Sequence, residues 1–61
     1  MYIVIFFENG PHFDENTRYF TSWSAAFDYC QKLNLELAKE NHCRVKDLGD
    51  YYDIEEVKKG K

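Results

Sequence analysis

Six consecutive apolar or aromatic residues, Tyr2–Phe7 (Tyr-Ile-Val-Ile-Phe-Phe), constrain this chain more than any other feature. Bounded by Glu8-Asn9-Gly10-Pro11, they read as a β-strand. Side chains alternate across a strand, so Tyr2, Val4 and Phe6 share one face and Ile3, Ile5 and Phe7 the other. Both sets are apolar, which predicts a central strand covered on both sides. The rest of the chain supplies one helix, and one helix covers one face.

Asn9-Gly10-Pro11 is a turn signal, because Gly accepts positive φ and Pro fixes its own φ and removes a donor. Asp14-Glu15-Asn16 is a second polar break, and His12-Phe13 between them starts an irregular stretch or a strand bulge. A second strand is predicted over 17–21, with its register on strand one left open by the long connection. Ser22 is the expected N-cap. From there Trp23, Ala26, Phe27, Cys30, Leu33, Leu37 and Ala38 recur at helical spacing, predicting a helix over 23–41. Asn34 lies on the apolar stripe, and a helix ending there in a left-handed residue is the alternative.

In the C-terminal third, Gly49-Asp50 suits a two-residue type II′ hairpin turn. That turn sets Leu48 against Tyr51, Asp47 against Tyr52, Lys46 against Asp53, Val45 against Ile54 and Arg44 against Glu55. Two of these pairs match opposite charges and one joins β-branched residues, each worth about 0.2–1 kcal/mol. The predicted fold is therefore α+β: a two-layer ββαββ sandwich, its antiparallel sheet in the order 2-1-3-4, packed on one helix. Residues 1–61 form one small domain, with 57–61 frayed. One sheet face stays open, and a homodimer through Tyr2, Val4 and Phe6 is the expected way to cover it.

Composition narrows the function classes. A domain of this size buries only roughly 60% of its unfolded surface, so its stability is marginal without help from disulfides, a metal or another chain. Eleven acidic against eight basic residues give a net charge of −3. That opposes a general nucleic-acid or anionic-membrane binder. No apolar run approaches the about 18–20 residues of a membrane span, and no basic, cleavable leader pattern opens the chain. The cytoplasm is the expected compartment.

No constellation of residues calls for chemistry. Cys30 falls on the apolar helix stripe and reads as a small core residue. His42 and Cys43 are adjacent, without the two-to-four-residue ligand spacing of structural zinc sites. His12 shares a loop with Asp14 and Glu15, a common surface arrangement. We expect no enzymatic activity, no catalytic residue, no metal and no cofactor. Tyr2, Phe6, Tyr19, Tyr51 and Tyr52 could stack bases, making a single-strand nucleic-acid-binding domain the alternative function. Its electrostatics are unfavourable, because Asp47, Asp50, Asp53, Glu55 and Glu56 crowd the same segment.

Those acids together with Tyr51 and Tyr52 combine negative charge with rigid aromatic area, the composition of a protein-binding anchor. A basic partner groove would be complementary. In general plan (about sixty residues, acidic, a short sheet and one helix) the chain resembles small phage-encoded inhibitors of bacterial defence nucleases, the anti-CRISPR type. The resemblance implies an inhibitor that occupies a basic, nucleic-acid-binding groove of a host protein or holds its target in a dead assembly.

Overall fold

The structure, a computed structural model, describes residues 1–58. The apolar run forms β1 (Tyr2–Phe7), and the chain reverses at Asn9 (φ 59°) and Gly10 (φ 119°). Only glycine adopts the second of these conformations without strain. The returning chain pairs antiparallel with β1 twice, as β2 (Pro11–His12) and as β3 (Arg18–Phe20). Phe7 lies opposite Pro11 and Phe6 opposite His12; Val4, Ile3 and Tyr2 lie opposite Arg18, Tyr19 and Phe20. Residues 13–17 leave the ladder between these two short pairings, as the polar break and the predicted bulge imply. Asp14 organises the excursion: its Oδ1 accepts from the Asn16 N–H at 2.9 Å, and its own N–H donates to Thr17 Oγ1 at 2.9 Å.

The helix α1 spans Trp23–Glu40. Ser22 caps it, its Oγ accepting from the Ala25 N–H at 3.4 Å. At the other end His42 turns left-handed (φ 55°), and the Cys43 N–H closes on the Ala38 carbonyl at 3.0 Å. Asn34 does not end the helix. Ala26, Cys30 and Ala38 are buried, and Tyr29, Leu33 and Leu37 pack beside them. Trp23 and Phe27, at the edge of the stripe, stay partly exposed and stack on each other at 4.8 Å.

The C-terminal hairpin does not form. Residues Val45–Asp47 make a single 3-10 turn, closed by the Asp47 N–H on the Arg44 carbonyl (2.9 Å) and by an Arg44–Asp47 ion pair at 3.1 Å. Gly49 is not in the positive-φ region that a type II′ turn needs. The strand β4 (Tyr51–Glu56) pairs antiparallel with β1 itself, from Tyr2 opposite Glu56 to Phe7 opposite Tyr51. The physical reason is burial. Pairing with β1 puts Tyr52 and Ile54 on the core beside Phe6 and Val4. A hairpin with 44–48 offers only weak charge matches.

Because β4 runs along all of β1, it takes one whole edge, while β2 and β3 share the other. The α+β class, the single antiparallel sheet and the helix packed on it hold. Strand two lies beside strand one as expected, and β4 takes the place assigned to strand three. The fourth strand comes from Pro11–His12 instead of 44–48. The ladder continues past β4, because the Val57 N–H donates to the Met1 carbonyl at 2.8 Å. The remainder of the predicted tail, 59–61, lies outside the described residues.

Candidate functional site

Alternation sorts β1 and β4 into two unlike faces. On the helix side Val4 is fully buried and packs with Tyr52, Ala26 and Cys30. Tyr2, Phe6, Phe20 and Ile54 surround this group, and the Phe6 and Tyr52 rings meet at 4.9 Å. Of the residues assigned to self-association, Val4 is therefore core under α1, and the half-buried Tyr2 and Phe6 lie on the same helix-covered face. The set left on the other face is Ile3, Ile5 and Phe7. The register brings Tyr19, Glu55, Asp53, Pro11 and Tyr51 alongside them.

No second element packs on that face among the described residues. Ile3 and Ile5 are nevertheless only 5% and 4% exposed. Cross-strand neighbours stand about 4.5–5.5 Å away on the same face and shield them. What reaches solvent is the shield itself: Tyr19 at 53%, Tyr51 at 42%, and the carboxylates of Asp53 and Glu55. Tyr51 lies over Phe7 with ring centroids 6.0 Å apart and planes 19° from parallel.

The predicted acidic site is thus divided. Tyr51, Asp53 and Glu55 share the uncovered face. Tyr52 lies in the core, and exposed Glu56, opposite Tyr2, falls on the helix side. Asp47 is held by Arg44, and exposed Asp50 sits in the turn before β4. Tyr51 and Tyr52 do not form one aromatic surface, because adjacent strand residues point to opposite faces.

Asn34 is the residue that sequence reasoning undervalued. Its Oδ1 accepts from the Tyr52 N–H at 2.8 Å, and its Nδ2 donates to the Tyr52 carbonyl at 3.0 Å. A helix side chain thereby satisfies the outer edge of β4. The next free N–H along that edge, Ile54, donates to Asp53 Oδ1 at 2.8 Å. Both contacts blunt an edge that would otherwise recruit another strand. A polar residue on an apolar helical stripe was the signal for Asn34.

The Tyr52 hydroxyl donates to Asp14 Oδ2 and accepts from Asn16 Nδ2, each at 3.1 Å. Tyr29 donates to the Asn16 carbonyl at 2.9 Å, so the 13–17 excursion is tied to the core. Burial, ahead of the nearby Asp14 carboxylate, raises the Tyr52 phenol pKa, while the Asn16 bond acts in the opposite direction. Burial, then the charge of Asp53, pushes the Cys30 thiol up to about 11, and its S–H donates to the Tyr52 carbonyl at 3.3 Å. Such a thiol is a poor nucleophile.

His12 bonds the Glu8 carbonyl at 2.6 Å, whereas Asp14 is engaged by Asn16, Thr17 and Tyr52. Cys30 is buried and Cys43 exposed, and both are free. Among the described residues no three His, Cys, Asp or Glu side chains are placed to hold a metal ion, and no helix is long and apolar enough to cross a membrane. No family model, curated protein or solved structure matches the chain.

Proposed function

We propose that this chain is a small non-enzymatic interaction protein whose acidic segment, 47–56, engages a basic surface of another protein. The mode is that of a phage-encoded inhibitor occupying the nucleic-acid-binding groove of a cytoplasmic host protein. The observation that carries the reading is the pattern on β4, where Tyr51, Asp53 and Glu55 stand exposed on a sheet face that no other element among the described residues covers. Aromatic anchors beside uncompensated acids suit a cationic protein surface. A homodimer through the same face is the competing arrangement. Base stacking on Phe7, Tyr19 and Tyr51 is a third, opposed by the two carboxylates among those rings.

The test immobilises the chain and a variant with Asp47, Asp50, Asp53, Glu55 and Glu56 all changed to Lys. Wild type is expected to retain a protein from a bacterial lysate that the variant does not. The retained protein, once purified, is expected to release a bound fluorescent oligonucleotide when the chain is added. Equal retention by both forms, or no displacement, overturns the reading.

A further inference from the structure

The uncovered sheet face has a chemistry that selects its occupant. Its middle is sealed, since Ile3 and Ile5 are almost inaccessible. Its accessible apolar area comes from Tyr19 on one side and Tyr51 on the other, with Phe7 between Tyr51 and Pro11. Its charged groups are Asp53, opposite Ile5, and Glu55, opposite Ile3. No Lys or Arg occupies a register position on this face among the described residues, and neither carboxylate has a cationic partner there.

We propose that this face docks a cationic amphipathic helix of a partner protein in preference to a second copy of the chain. The proposal rests on the interaction-protein reading above and specifies its surface and its ligand. Stacking two such faces about 10 Å apart would confine four carboxylates with no cation between them. Burial of unpaired like charges opposes that assembly. A cationic partner removes the conflict.

The form of the ligand follows from the backbone. Asn34 holds the Tyr52 N–H and carbonyl and Asp53 the Ile54 N–H, so a strand added to β4 meets three edge groups already bonded. A strand laid flat on the face would leave its own N–H and C=O groups unpaired, whereas a helix satisfies them internally. The dimensions agree. Ile3 to Phe7 spans about 14 Å at strand rise, or about two and a half helical turns. Asp53 and Glu55, two residues apart, stand about 7 Å apart, close to the about 6 Å between helix positions i and i+4.

The experiment titrates the isotope-labelled full chain with a synthetic helical peptide, apolar at i, i+4 and i+7 with lysines flanking that stripe. A scrambled isomer without the stripe is the control, amide shifts are mapped by NMR, and the free chain's mass is followed by light scattering. Expected are a monomer and saturable shifts centred on Ile3, Ile5, Phe7, Tyr19, Tyr51 and Asp53. The striped peptide is expected to bind at least tenfold more tightly than the isomer. Asp53→Lys with Glu55→Lys is expected to weaken it at least tenfold, and Asp53→Asn with Glu55→Gln by less. Both double variants are checked for an unchanged circular-dichroism spectrum.

A stable dimer with those amides at its interface would overturn the proposal in favour of a second copy. Shifts of the same amides by oligothymidylate alone would overturn it in favour of nucleic acid. Equal binding of the two peptides, or shifts confined to the exterior of α1, would also overturn it. The broader reading fails separately. If capture of the lysate protein survives reversal of Asp53 and Glu55 but is lost on reversal of Asp47, Asp50 and Glu56, the interaction reading stands and this face falls.

Discussion

The two faces of β1 are equally apolar in sequence and nearly equally buried, yet different agents bury them. Val4 is covered by a helix, through Ala26 and Cys30. Ile3 and Ile5 are covered by their own sheet, through longer side chains on the flanking strands. Cover by a helix produces a dry core in which a polar group needs a named partner, as Asn34 and the Tyr52 hydroxyl have. Cover by neighbouring side chains leaves those neighbours half in water, where tyrosine and carboxylate are tolerated. The first face holds the helix-packed core, and the second presents polar groups to solvent.

The harshest way to break this comparison is Val4→Asp. An uncompensated carboxylate at a position with no exposure is expected to cost more than about 4 kcal/mol, enough to abolish the fold. Circular dichroism should show the helix lost; a folded monomer would contradict the assignment of faces. Adjacent tyrosines sharpen it next. Tyr52→Ala is expected to cost about 3–5 kcal/mol, as large aromatic truncations in cores do, and Tyr51→Ala about 1 kcal/mol or less. Urea titrations of the two variants give the ratio, and equal losses would mean that the faces are equivalent.

Asn34→Ala removes both bonds to the Tyr52 backbone and is expected to cost about 2 kcal/mol. It also frees the edge of β4, so light scattering should detect aggregation that wild type lacks. A smaller effect comes from Cys30. Its thiol is held protonated to about 11 against 9.0 for a free thiol, so the folded state binds a proton that the unfolded state releases. That contribution is full below pH 9 and is lost as pH rises towards about 11. Cys30→Ala is expected to flatten stability across this window, and in wild type a thiol reagent should modify exposed Cys43 long before Cys30. Last, Arg44→Ala breaks an exposed ion pair outside both faces and is expected to change stability by about 0.5 kcal/mol or less.

Much of the architecture was legible locally. Strand one, the Asn9-Gly10 reversal, the Ser22 cap and the helix through to Glu40 each follow from neighbours within a few residues. The acidic surface was legible as composition but not as geometry. Asp53 and Glu55 share a face with Tyr51 only because β4 is a strand, and that face is uncovered only because Tyr52 and Ile54 point at α1. Asp47 stays exposed but lies off the β4 face, because three residues of its own segment coil into a turn and pair it with Arg44.

What the sequence determined by itself is β1, the reversal after it, the capped helix and the existence of two apolar sets on β1, since capping, turn chemistry and side-chain period act over short range. The tertiary structure decided which set meets the helix and where the last strand goes. An alternating pattern is symmetric between its faces, so nothing in Tyr2–Phe7 distinguishes them. The matched pairs of the expected hairpin are worth about 0.2–1 kcal/mol each. Burying the Tyr52 and Ile54 side chains, at about 1.5–3 kcal/mol for a large apolar group, outweighs them, and that burial exists only once β1 and α1 stand together.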